Sequence, residues 1–284
     1  MLTRLAAVFF RVRSRLTALV LRTVTWLAAG LTFGALFFLL GHILINGIPY
    51  IKPSLFAWEY NTTNVSLLPA LVTTVFMVAL ALVVSVPLGL FTAIYLVEYA
   101  KRGSRLVKLI RVTAETLSGI PSIVYGLFGL LFFVTWLGWG FSLAAGTLTL
   151  AIMILPLIMR TAEESLKAVP DTYREGAFGL GAGRLRTVFR IVLPAAAPGI
   201  LAGIILAMGR IVGETAALIY TAGTVAQIPN SLLASGRTLA VHMYALSSEG
   251  LYTGQAYATA VVLLIVVVGI NALSAALARK IARG

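Results

Sequence analysis

Apolar residues in this chain gather into long runs, separated by stretches where charge, proline and glycine concentrate. Six runs reach or approach the length of about 20 residues that a helix needs to cross a hydrocarbon layer roughly 30 Å thick. They cover residues 22–46, 68–97, 119–138, 146–161, 198–222 and 256–278. None alternates polar and apolar positions as a membrane strand would. A backbone in lipid must satisfy its own hydrogen bonds, so each run is predicted to be a helix. The expected fold class is therefore all-α integral membrane, with six transmembrane helices.

Composition agrees: 60% of the 284 residues are hydrophobic and 11% charged, with a mean hydropathy of +1.00. A soluble core of this size has no use for so much apolar surface. A net charge of +13 would suggest nucleic acid in a soluble protein, but the distribution is one-sided. With the N-terminus inside, 19 of the 22 Lys and Arg fall on the cytoplasmic side, Lys52 and Arg237 fall outside, and Arg210 lies within a run. This positive-inside pattern places both termini in the cytoplasm and removes the need for a nucleic-acid partner. Cysteine is absent, which excludes disulfides and thiolate metal sites. The first run is too long for a signal-peptide core and lacks a small-x-small cleavage site before Asn46, so it reads as a retained anchor.

Residues 1–67 form a basic N-terminal segment, a first helix and an external loop; 68–278 form the membrane domain; 279–284 form a basic cytoplasmic tail. Arg4, Arg11, Arg15 and Arg22 fall on one helical side, as in an interfacial helix or an ordinary basic flank. The loop 47–67 carries Pro49, Pro53, Trp58 and Tyr60, and two glycosylation-like triplets at Asn61 and Asn64 of a kind that arises often by chance. Residues 223–255, with Pro229, Gly236, His242 and Tyr244, are too polar to span and predict a short re-entrant or interfacial helix, or a tether. No Cys, Asp or Glu clusters with His242, so a metal is not expected there; His42 is expected to meet a neighbouring helix or interfacial water.

The segment 163–194 is polar and arginine-bearing, between the fourth and fifth runs. Pro170 suits a first helical turn, Asp171 and Glu175 complement its positive end, and Gly179, Gly181 and Gly183 end or bend it. A second amphipathic helix is predicted over 184–193, stopped by Pro194. The segment carries Glu175-Gly176-Ala177, then three residues, Gly181, nine residues, Ile191, one residue, and Leu193-Pro194. That spacing resembles the loop by which permeases of ATP-binding-cassette importers seat on their ATPases.

The resemblance extends over 68–278 to type I importer permeases. ETLSGIPSIVYGLFGLLFF from Glu115 and GRIVGETAALIYTAG from Gly209 resemble the permeases of phosphate-specific importers, the Gly-Glu-Thr-Ala ending looking like the A-type (PstA) subunit. The resemblance implies a non-catalytic permease for inorganic phosphate working by alternating access. Its partners would be a second permease, two ATPase subunits carrying ATP and Mg, and an extracytoplasmic phosphate-binding protein. Tyr173, Ala177 and Phe178 would be apolar anchors in an ATPase groove, with Arg174 and Glu175 at the rim, and Gly176 and Gly181 allowing close approach. None of the five lysines follows a glycine, so the chain has no GK[ST] phosphate-binding loop and is expected to bind no cofactor itself.

Arg210 and Glu214, four apart in the fifth run, are expected to pair on one helical face at mid-bilayer. Under the resemblance, Arg210 would offer a donor fork to phosphate, Glu214 would hold the fork or accept the proton of monohydrogen phosphate, and Thr215 would add a hydroxyl. A structural ion pair is the competing account. Gly199, Gly203, Gly209 and Gly213 suit close helix approach. Three other functions stay open: a permease for another oxyanion or polar solute, an ATP-independent secondary transporter or channel, and a non-transporting membrane scaffold in which every charge is structural.

Overall fold

A computed structural model describes residues 2–101 and 103–283, with side chains over 17–101 and 103–276. No strand occurs among the described residues. The first helix, α1, runs Leu2–Gly47 without a turn between the basic segment and the first apolar run. The side chains of Arg4, Arg11 and Arg15 lie outside the described residues. α2 (Leu68–Ile94) continues as a π-helical turn, Tyr95–Tyr99. α3 (Arg105–Ser118) is amphipathic and meets α4 (Ser122–Gly129, extended by a π-helical stretch Leu130–Trp136) at a bend of 101°. The third predicted span, 119–138, is therefore the second arm of a bent pair.

α5 (Leu143–Ala168) is the hub: 67% of its most apolar window is buried, against at most 28% for the other spanning helices. It packs on α2, on α3 and α4, and on α8 (Leu193–Val212). α11 (Thr253–Arg283) covers α8, and α1 covers α11. Among the described residues five helices are long and apolar enough to cross a membrane, and six if the bent pair is one span.

Glycine sets the α5–α8 contact. A methyl on Gly199 would strike Ser165, and one on Gly203 would strike Thr161. Antiparallel helices in that register place Arg210 level with Ile154, near the middle of α5. Gly209 and Gly213 have no such neighbour, so only two of the four predicted glycines serve packing.

Two predicted helix ends differ. Pro194 does not stop the segment after Gly183: α7 (Arg184–Thr187) runs through a π-helical turn, Val188–Val192, straight into α8. The widened turn shifts the hydrogen-bond register at the point where proline lacks its N–H, which is how a helix absorbs the residue. At the other end α8 stops at Val212; residues 213–215 are non-helical and α9 (Ala216–Ile219) follows.

The loop before α2 is pinned by its asparagines. Asn61 Oδ1 accepts from the Thr63 and Asn64 amides and the Thr63 hydroxyl, while Asn64 Oδ1 accepts from the Asn61 and Ser66 amides. The second polar segment forms α10 (Leu239–Glu249), capped by the Thr238 hydroxyl and packed on α2 and α11, so it is no mere tether. His42 meets α11 as expected, with Nε2 3.3 Å from the Tyr257 hydroxyl.

Candidate transport site and coupling surface

α6 (Asp171–Gly179) opens at Pro170 and ends in the glycine cluster, where Gly181 takes φ +81°, a conformation that a side chain disfavours. Its outward face presents Tyr173 (52% exposed), Phe178 (48%) and Leu180 (91%), together with Glu175 and Gly176. Leu180 is absent from the sequence-based set because a leucine among glycines has no periodicity to place it. Leu180, just past the end of α6, is almost bare.

One expected anchor and one expected rim residue point inward instead. Ala177 is buried, its carbonyl accepting from the Ala182 amide. Arg174, predicted at the rim, has a side chain only 14% exposed and forms a nearly saturated donor set. Its Nη2 donates to Glu98 Oε1 at 2.8 Å and to the Leu166 carbonyl at 2.9 Å. Its Nε donates to Glu98 at 3.1 Å, and its Nη1 to the Val169 carbonyl at 2.8 Å and Asp171 at 3.2 Å. Arg174 thus ties α6 to the end of α2 and the end of α5. Arg184 adds a second tie, its guanidinium lying 5.2 Å from the Tyr99 ring centre. The clue to the first tie is Glu98 itself, a lone acid at the end of an apolar run that needs a cation.

A groove of about 600 Å³ lies between α5 and α8, lined by Tyr173 of α6, Ser165 and Thr161 of α5, and Gly199, Gly203 and Leu206 of α8. Arg210 lies one turn beyond Leu206, in the last turn of α8, where a cation complements the helix dipole. It is partly buried, and among the described residues its guanidinium has neither an ion pair nor a hydrogen bond.

The expected Arg210–Glu214 pair does not form. Glu214 lies past the end of α8, and its Oε1 accepts from the Ala217 amide at 3.0 Å, capping α9. The i, i+4 spacing held only for a helix that continued, and Gly213 ends it. Thr215 stands at the same break, its hydroxyl 3.4 Å from the Gly213 carbonyl. Non-helical backbone at mid-membrane depth is tolerated only where protein buries it or water reaches it. Arg210 and this break are thus at one place.

On the α10 side, beyond the spans, the Arg237 guanidinium lies 4.8 Å from the Tyr60 ring centre, and His242 meets the same ring edge-on at 6.1 Å. Burial, reinforced by the Arg237 charge, holds the His242 pKa down to about 3. The imidazole is therefore neutral at physiological pH. Among the described residues no three His, Cys, Asp or Glu gather as a metal set.

Residues 85–283 match the family described as the binding-protein-dependent transport system inner membrane component. The chain is 32% identical over 245 residues to a probable ABC transporter permease protein, YqgI, of Bacillus subtilis, covering 79% of this chain and 81% of that one. It is 42% identical over 154 residues to phosphate transport system permease protein PstA 1 of Mycobacterium tuberculosis, covering 54% of this chain and about half, 50%, of that relative. In fold it is similar to a chain of a bacterial alginate ABC transporter solved with an alginate pentasaccharide-bound periplasmic protein, with a TM-score of 0.68, 17% identity and 94% of both chains covered. The family match covers more than half of the chain, and the chain belongs to the family of binding-protein-dependent transport system inner membrane components.

Proposed function

We propose that this chain is the A-type permease subunit of an ATP-driven importer that carries inorganic phosphate across the cytoplasmic membrane by alternating access. The observation that carries the cargo reading is Arg210, a mid-membrane cation without an ion pair at a break in α8, one turn beyond the groove that Tyr173 of α6 also lines. An unpaired guanidinium offers a planar donor fork to an oxyanion and needs no partner displaced first. Thr215 adds a hydroxyl at the break. Glu214, committed to α9, acts as the cap that holds the break open. The phosphate transport permease of M. tuberculosis, 42% identical over the matched stretch, supports this cargo.

Coupling rests on α6, which faces the cytoplasm in this reading, as do both chain termini. Tyr173, Phe178 and Leu180 enter the ATPase groove, with Glu175 and Gly176 at the contact. Arg174, Ala177 and Gly181 act from behind by fixing the α6 backbone. Two ATPase subunits with ATP and Mg, a second permease and an extracytoplasmic phosphate-binding protein complete the assembly.

The test is ATP-dependent uptake of labelled phosphate into proteoliposomes holding this chain with its permease, ATPase and binding-protein partners. Uptake that unlabelled phosphate inhibits and sulfate and molybdate do not, and that Arg210→Ala abolishes in an assembled complex, is expected. Equal inhibition by all three anions would make the cargo a broader oxyanion class. Wild-type uptake by Arg210→Ala would remove Arg210 from the route.

A further inference from the structure

The cavity at the root of α6 is not part of the route, and it shares only Phe178 with the face that α6 presents outward. It has a volume of about 620 Å³ and lies between the end of α2, α3, the end of α5, α6 and the start of α7. Its cations come from four separate elements and the loop between α2 and α3: Lys101, Arg111, Lys167, Arg174 and Arg184. Among the described residues the carboxylates on its wall are Glu98 and Asp171.

Those carboxylates are already engaged. Glu98 is taken by Arg174, and Asp171, 80% exposed, also lies against Arg174. Behind the wall, Glu163 Oε1 is 2.6 Å from both Arg111 and Lys167. Neither approach has hydrogen-bond geometry, so this is a shared ionic contact in which one negative charge serves two positive ones. Lys101 and Arg184 have no carboxylate partner among the described residues; Arg184 rests on the Tyr99 ring. Five cations against three carboxylates leave a net charge of +2 within one concavity. Exposed cations on a convex surface are answered by water and salt, but low-dielectric walls around a concave cluster focus its field on an anion.

From this juxtaposition we propose that the cavity is a binding site for a phosphate group, as free phosphate or as the headgroup of an anionic lipid. A tetrahedral oxyanion has acceptors for Lys101, Arg111, Lys167 and Arg184 together, which one carboxylate has not. Its occupant would join the α2–α3 loop and α3 to the start of α7, across the base of α6, and so stiffen the mount on which α6 stands. The site is separate from the transported solute: it would exist whatever crosses at Arg210.

The test uses the assembled permease and ATPase complex, without binding protein or nucleotide. It is placed in phosphatidylcholine nanodiscs and in nanodiscs containing phosphatidylglycerol. In the first, equilibrium binding of labelled inorganic phosphate is measured for wild type, for Lys101→Gln/Arg184→Gln and for Arg210→Ala. In the second, lipid retained through detergent exchange is counted. Saturable phosphate binding that the double variant weakens about tenfold and Arg210→Ala leaves intact supports the site with free phosphate as occupant. Phosphatidylglycerol retained by wild type and lost by the double variant supports the headgroup.

Neither signal in an intact complex overturns the proposal, and so does phosphate binding lost only in Arg210→Ala. Co-elution of the subunits establishes that the double variant assembles. Should it not assemble, Lys101→Gln alone, in the α2–α3 loop and away from α6, carries the same test with the same criteria. Failure of phosphate uptake with this binding intact would count against the cargo reading alone.

Discussion

Arg174 and Arg210 are the same residue type in opposite circumstances, and the difference separates framework from the proposed route. Arg174 donates to a buried carboxylate, to Asp171 and to two backbone carbonyls, joining three elements that sequence places 76 residues apart at the extreme. Arg210 stands at the end of a broken helix with no ion pair among the described residues. A cation whose donors are filled by its own chain has none left for a solute. One whose donors are open, at the break after α8, has nearly all of them left.

The largest effect is expected on the framework side. Removing one partner of a buried pair leaves the other charge unanswered, which typically costs about 3–5 kcal/mol. Glu98→Ala is therefore expected to lower the unfolding free energy of the detergent-solubilised chain by that amount and to detach the ATPase subunits. A loss below about 1 kcal/mol, the range of exposed pairs, would mean that Asp171 and the two backbone carbonyls are enough to answer the Arg174 charge. The contrast between the two arginines would then fail.

The route side should show the reverse split. Arg210→Ala removes a charge but, among the described residues, no ion pair or hydrogen bond, so stability is expected to stay within about 0.5 kcal/mol of wild type. If the guanidinium gives a passing anion about 2.7 kcal/mol of charge-assisted hydrogen bonding, uptake falls about a hundredfold. Unfolding measurements beside uptake assays decide it: destabilisation equal to that of Glu98→Ala would make Arg210 another framework residue.

The sequence made some of this contrast legible and hid the rest for identifiable reasons. The spans were visible because lipid demands long apolar runs, and five of the six centres fall within helices that meet that demand. The α6 segment was visible because proline and glycine mark its ends. The Arg210–Glu214 pair was misread because spacing along a helix says nothing once the helix stops, and Gly213 gives no sign of whether it stops one. Arg174 was assigned outward because on an isolated amphipathic helix an arginine belongs in water. Its partner Glu98 lies in a different element, and no local pattern relates the two.

A third arginine sharpens the comparison through pH. Arg237 lies beside a neutral, buried His242, whose pKa is held near 3. Against about 6.5 in an unfolded chain, the unfolded state binds the extra proton between those values. The stabilisation from a neutral His242 is complete above pH 6.5 and is lost progressively as pH falls toward 3. Between pH 7 and 5.5 the loss from this group is about 1 kcal/mol. His242→Phe should flatten that part of the pH dependence of unfolding, while Arg210→Ala, without a histidine in contact, should leave it unchanged. A slope unaltered in His242→Phe would move its origin elsewhere.

The smallest effect concerns how α6 keeps Arg174 in place. Gly181, at φ +81°, donates its amide to the Phe178 carbonyl at 2.9 Å, and nothing surrounds the position where a Cβ would stand. Any cost of Gly181→Ala is thus conformational rather than steric crowding, about 1 kcal/mol for a left-handed residue. Gly179, inside α6 with equally open space, gives the opposite sign: Gly179→Ala should stabilise the helix by up to about 1 kcal/mol. Opposite shifts in unfolding free energy for two glycines two residues apart, with weaker ATPase association only for Gly181→Ala, would show that the turn sets the angle of α6. Equal shifts would assign the mount of α6 to the Arg174–Glu98 pair alone.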